Sequence, residues 1–116
     1  MSIDLKRAYD PPAKGDGYRV LVDRVWPRGI ARDDLQVDAW LKELAPSTNL
    51  RKWFGHDPRK WDEFRKRYAR ELGQHSDALA TLAEKARDGR LTLVFGARDI
   101  EHNNAVALKE HLESGL

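Results

Sequence analysis

The sequence contains no cysteine among its 116 residues and only one methionine. Without cysteine there can be no disulfide, no thiolate nucleophile and no Cys-ligated zinc or iron–sulfur centre. No apolar run approaches the roughly 18 residues that a membrane-spanning helix needs, and the N-terminus shows no signal-peptide pattern. Charge of one sign is also missing: Lys and Arg total 21 and Asp and Glu 19, a formal net charge of +2. A polybasic or polyacidic tail is thereby excluded. There is no Walker loop, no G-x-G-x-x-G, no G-x-S-x-G and no H-E-x-x-H. Repeats, low-complexity tracts and linkers are absent too, which leads to the expectation of one domain over residues 1–116, located in the cytoplasm and without a membrane partner.

What is present describes a well-solvated globular domain, with 34% charged residues and a mean hydropathy of −0.73. A chain of this length buries roughly two thirds of its unfolded surface, enough for one core. Four tryptophans are available to that core. Ile3 to Tyr9 alternates apolar and polar residues as a first strand would. Pro11-Pro12 and Gly15-Asp16-Gly17 then break the chain. Tyr18 to Trp26 is the strongest strand signal, and Val20-Leu21-Val22 reads as a central strand covered on both faces.

Beyond Pro27 and Gly29 the pattern turns helical. Asp33 or Asp34 is placed to cap a turn, and Trp40, Leu41 and Leu44 share one face of a short helix predicted around Val37 to Leu44. Ser47 is a cap for a second short helix carrying Leu50, Trp53 and Phe54. Asp57-Pro58 opens a longer helix by a cap followed by proline at the first helical position. Trp61, Phe64, Tyr68 and Leu72 then form an apolar stripe, and Gly73 ends it. A further helix starts at Ser76 and closes at Gly89. Leu91 to Phe95 is a short buried strand, and a last helix is predicted from about Ile100 to Glu113.

This order predicts an α/β fold, a small parallel or mixed sheet of about three to four strands flanked by helices. The long helical crossover between the second strand and Leu91–Phe95 favours parallel neighbours. The segment from Tyr9 to Tyr18 is too short for a crossover helix. The first strand is therefore either antiparallel to the second or parallel to it but not adjacent.

Ligands of open α/β sheets bind beyond the carboxyl ends of the strands. Two polar segments fall there: Asp23, Arg24, Trp26 and Arg28 after one strand, and Arg98, Asp99, His102, Asn103 and Asn104 after the other. Arg24, Arg28, Arg98 and the start of the last helix would form a rim suited to phosphate or carboxylate, with Trp26 and Asn103 as further ligand contacts. Structural readings stand beside this one: an Asp23–Arg24 ion pair, arginines holding down helix C-termini, and Asp99 as a helix cap. His56, beside Gly55 in a turn, and His102, beyond a strand end, are candidate proton-transfer groups, with Asp23 as a third catalytic candidate. No spacing supports a metal site from His56, Asp57, Asp99 and His102, and no particular cofactor is implied. Ser47 reads as a cap, not a nucleophile.

Between Arg51 and Arg70 eight basic residues face three acidic ones, with Trp53, Phe54, Trp61 and Tyr68 among them. Basic segments with aromatics can bind nucleic acid. Here the aromatics follow the helical core stripe, which makes the basic residues a solvated face. A protein-interaction domain using open tryptophan surface is the remaining alternative.

The runs Gly17-Tyr18-Arg19-Val20-Leu21-Val22-Asp23-Arg24-Val25-Trp26-Pro27-Arg28-Gly29, Trp40 to Ser47, Trp53-Phe54-Gly55-His56-Asp57-Pro58, and Leu91 to Phe95 with His102-Asn103 and Ala105 to Leu108 span nearly the whole chain. Together they resemble the YeaO-like family, domain of unknown function 488. The resemblance brings no activity with it. It directs attention to Asp23, Arg24, Trp26, Pro27, Arg28, His56, Asp57, His102 and Asn103. Val22-Asp23-Arg24 also resembles the rhodanese strand, but without a cysteine sulfur transfer by that mechanism is excluded.

Overall fold

The computed structural model describes residues 1–115; Leu116, the last residue of the expected domain, lies outside the described residues. The strands are β1 (Ser2–Arg7), β2 (Tyr18–Leu21), β3 (Ala39–Trp40) and β4 (Arg90–Phe95), and the helices α1 (Arg32–Leu35), α2 (Thr48–Phe54), α3 (Trp61–Leu72), α4 (Ser76–Asp88) and α5 (Asn104–Glu113). They form an α/β fold around one four-stranded sheet in the order β1-β4-β2-β3, with every pairing parallel. Of the two arrangements open for the first strand, it is the parallel, non-adjacent one: β4 lies between β1 and β2. Gly17 makes this packing possible. Its backbone is left-handed (φ 65°), and a Cβ there would meet the Arg90 carbonyl oxygen at 2.2 Å.

The larger core collects Val20, Val22, Leu91, Leu93 and Phe95 from the sheet against apolar residues of α2, α3, α4 and α5. On the opposite face Leu21 and Val94 meet Leu35 of α1, flanked by Trp26, Ile30, Val37 and Trp40. Val20-Leu21-Val22 is thus covered on both faces, as its continuous apolar run requires. The stripe on α3 holds: Phe64, Tyr68 and Leu72 are each 1% exposed. The buried Tyr68 hydroxyl donates to the Leu44 carbonyl.

Three expectations are corrected. The second strand ends at Leu21, not Trp26. Only Val22 N–H continues the ladder, to Val94 O at 3.1 Å, after which the Asp23 side chain replaces the backbone as partner of Gly96. The helix predicted around Val37 to Leu44 is instead β3 followed by a 3-10 turn, Lys42–Leu44. Trp40 belongs to a strand because its indole N–H donates to Asp23 O (2.8 Å) and its ring meets Trp26 edge-on at 5.4 Å. Tertiary contact here overrides a short helical period. The last helix begins at Asn104 and not near Ile100, because Asp99 Oδ1 accepts the N–H groups of Glu101 and His102 and holds the chain in a turn. Asn103, not Asp99, is the cap: its Oδ1 accepts from Val106 N–H at 3.0 Å.

The parallel sheet puts the carboxyl ends of all four strands on one edge. The segments after β2, β3 and β4 therefore meet there. Arg7, at the end of β1, steadies the last of these by donating from Nε to Ala97 O at 3.0 Å.

Candidate functional site

A cavity of about 430 Å³ opens at this edge, within the range of small-molecule sites. One wall is the segment after β2, Asp23-Arg24-Val25. A second is the turn after β4, Gly96-Ala97, with His102, Asn103 and Asn104 at the start of α5. Ala45 and Pro46 come from the segment ahead of α2, Arg51, Lys52 and Phe54 from α2, His56 from the turn after it, and Phe64 from α3. α2 is fixed by its cap. Ser47 Oγ accepts from Leu50 N–H and donates to Glu71 Oε2 at 2.6 Å, which confirms its reading as a capping residue.

Among the described residues Asp23 is the cavity's one carboxylate, and both its oxygens are engaged. Oδ2 accepts Gly96 N–H at 2.8 Å, and Oδ1 accepts from Asn104 Nδ2 at 3.1 Å. Burial pushes its pKa above the ordinary value of 3.8, with the Gly96 and Asn104 hydrogen bonds and the Arg51 charge pulling the other way. Asn104 Nδ2 also donates to Val22 O at 2.9 Å, so this amide ties α5 to the end of β2.

Arg24 is half-buried and forms no ion pair among the described residues; an Asp23–Arg24 pair is not found. Its Nη2 reaches the carbonyls of Ala45 and Pro46 at 3.3 Å each, and its Nε is buried without a partner. Instead of holding down a helix C-terminus, it braces the segment that enters α2. Arg51 and Lys52 are exposed on the rim.

The two candidate histidines both line the cavity. His102 Nδ1 lies 3.0 Å from Asp99 Oδ2, and its ring meets Trp61 edge-on at 5.4 Å. That contact leaves Nε2 as the ring nitrogen available for a ligand or proton. The backbone N–H of Glu101, together with the His102 side chain, holds the Asp99 carboxyl below its ordinary pKa. His56 follows Gly55, and both are left-handed, at φ 57° and 55°. An uncommon conformation for a non-glycine residue thus places His56 at the cavity mouth.

A family model described as "Inactive DUF488-N3 subclade" matches residues 2–116. The chain belongs to this DUF488 family. It is 46% identical to Uncharacterized protein YeaO of Escherichia coli (strain K12), over 98% of this chain and 99% of the relative. It is 41% identical to Uncharacterized protein Rv3073c of Mycobacterium tuberculosis (strain ATCC 25618 / H37Rv), over 95% of this chain and 92% of the relative. Uncharacterized protein Mb3100c of Mycobacterium bovis (strain ATCC BAA-935 / AF2122/97) matches equally well. No solved structure matches the chain.

Within this DUF488 domain the cavity brings together Asp23, Arg24, His56, His102 and Asn103 of the residues expected from sequence. Trp26, Arg28 and Arg98 are not among its lining. Trp26 turns to the opposite face of the sheet, where its indole N–H donates to Ile30 O at 2.7 Å. Arg28 and Arg98 are exposed. Asn104, in the same strand-end segment as Asn103, joins the lining, whereas the sequence reading placed Arg51 and Lys52 only in the basic segment and not at this edge. Among the described residues no group of three or more His, Asp or Glu is placed to hold a metal ion, and no helix is long and apolar enough to cross a membrane.

In the basic segment Arg59, Arg65 and Arg67 pair with Asp57, Asp62 and Glu63, and Arg65 also with Glu110. Lys60 and Arg67 lie over the Trp53 ring at 5.1 and 4.2 Å. None of the four tryptophans is exposed.

Proposed function

We propose that this domain binds a small phosphate- or carboxylate-bearing anion at the carboxyl edge of its sheet. The observation that carries the reading is the charge balance of the cavity. Arg24, Arg51 and Lys52 line it, and the single carboxylate, Asp23, has both oxygens hydrogen-bonded within the protein. Arg24 donates only from Nη2, to two carbonyls, and has no ion-pair partner among the described residues, so an incoming oxyanion would supply the counter-charge that the fold leaves out. His56 and His102 bring two imidazoles to the same cavity.

Among the described residues the lining holds no hydroxyl or thiol nucleophile, so the reading is one of binding and not of covalent catalysis by such a group. The description of the matching family as inactive points the same way. The test is thermal unfolding with inorganic phosphate and acetate on wild type, Arg24→Gln and Arg28→Gln. An anion at a hundred times its Kd stabilises the fold by about 2.7 kcal/mol, a shift of several degrees. The shift is expected in wild type and Arg28→Gln and lost in Arg24→Gln. No shift in any protein, or an equal loss in both variants, would remove the basis of the reading.

A further inference from the structure

We infer that the anion bound here carries an apolar body, as in an aryl phosphate or aryl carboxylate, and is not a bare inorganic ion. This rests on the anion reading above and narrows it.

Volume is the first reason. A water molecule occupies about 30 Å³ in the liquid, and inorganic phosphate has only five heavy atoms. A cavity of about 430 Å³ would leave such an ion surrounded by water and unable to reach all its charged partners at once. The chemistry of the walls is the second. Among the cationic residues the lining holds Val25, Ala45, Pro46, Ala97 and the edges of Phe54 and Phe64. The two phenyl rings stack on each other at 4.4 Å with 29° between their planes, so it is their edges that meet the cavity.

Val25 supplies the third reason. It is 64% exposed, and of the large hydrophobic residues that are exposed among the described residues (Met1, Tyr9, Val25 and Ile100) it alone lines the cavity. A β-branched side chain held open beside these aromatic edges is apolar surface that a ligand would remove from water. Apolar and cationic groups sharing one cleft select a molecule with both characters.

The experiment is isothermal titration of the full chain with inorganic phosphate, phenyl phosphate, acetate, benzoate and benzyl alcohol, on wild type and Val25→Ser. Val25 is exposed, so its replacement by serine leaves the core intact. Phenyl phosphate and benzoate are expected to bind at least tenfold more tightly than phosphate and acetate. Val25→Ser should weaken the aryl anions several-fold and leave inorganic phosphate unchanged. Equal affinity for phosphate and phenyl phosphate, or equal weakening of both by Val25→Ser, overturns the aryl inference while the anion reading stands. Benzyl alcohol binding as well as benzoate, or no binding by any of the five, overturns the anion reading itself.

Discussion

Asp23 and Gly96 are joined by a hydrogen bond between loops 73 residues apart in sequence, Oδ2 accepting the Gly96 N–H at 2.8 Å. This bond fastens the segment after β2 to the turn after β4, and so sets the mouth of the cavity between them. The fit is close. A Cβ on Gly96 would sit 3.2 Å from Asp23 Oδ2, tighter than an ordinary van der Waals contact. Asn104 holds the other carboxylate oxygen, so Asp23 cannot retreat without loosening a second bond.

Gly96→Ala is therefore expected to cost about 1 kcal/mol of stability through a stretched charge-assisted hydrogen bond. Urea unfolding should show a lower midpoint with an unchanged slope. An alanine variant as stable as wild type would mean that the turn after β4 yields freely and that the bond positions nothing.

Two aspartates should respond to pH in opposite senses. Burial pushes Asp16 up, but hydrogen bonds from Ala13 N–H, Lys6 and Arg19 outweigh it and hold its pKa below 3.8. Its stabilisation is then fully present above about pH 4 and is lost as the pH falls through the lowered value. Asp23 is raised, chiefly by burial. Its contribution is fullest below pH 3.8 and is lost as the pH rises through the raised value. Unfolding of Asp16→Asn and Asp23→Asn against wild type between pH 3 and pH 7 would read this out. The cost of Asp16→Asn should grow with pH and that of Asp23→Asn should shrink. Parallel slopes would contradict both assignments.

Much of this fold is written in local patterns. Val20-Leu21-Val22 and Leu93-Val94-Phe95 are continuous apolar runs because β2 and β4 are the two central strands. The α3 stripe and the Ser47 cap follow from spacing and residue type alone. β3 was not legible, since two residues carry no period and Trp40 is a strand residue only because Asp23 O and Trp26 receive it. The site divides in the same way. Asp23, Arg24, His102 and Asn103 are adjacent to strand ends and could be named from sequence. Arg51 and Lys52 reach the cavity only because the stacking of Phe54 on Phe64 seats α2 beside the sheet edge, a long-range contact that no local signal carries. Asn104 was legible with Asn103, as a second amide at the start of the last helix.

At the opposite end of the sheet, Arg19 is 4% exposed and donates to Asp16 Oδ2 at 2.6 Å, to Leu35 O at 2.8 Å and to Gln36 O at 3.1 Å. Arg19→Met retains the apolar stem but leaves Asp16 with Lys6 as its single cationic partner, and strips two carbonyls of a donor. Removing one member of a buried pair typically costs 3 kcal/mol or more. The expected loss is about 3 kcal/mol, measured by urea unfolding at pH 7. Lys6→Met, at a more exposed position, should cost less than half as much. The reverse order would show that Arg19 is not the main counter-charge.

Asn103 does two jobs with one amide. Its Oδ1 accepts Val106 N–H at 3.0 Å, capping α5, and its Nδ2 donates to Asp99 O at 2.8 Å, closing the turn that presents His102. The side chain is 3% exposed, so water cannot replace either bond. Asn103→Ala removes both and should cost about 2 kcal/mol. Asn103→Ser retains a capping oxygen but does not reach Asp99 O, and Asn103→Asp keeps the acceptor while setting a buried carboxylate against that carbonyl. Both are expected between wild type and alanine in stability. Because the turn also carries His102 to the cavity, anion affinity should fall in serine and aspartate variants that remain fully folded by circular dichroism. If affinity follows stability alone, and returns when folding is restored at lower temperature, Asn103 caps the helix without shaping the site.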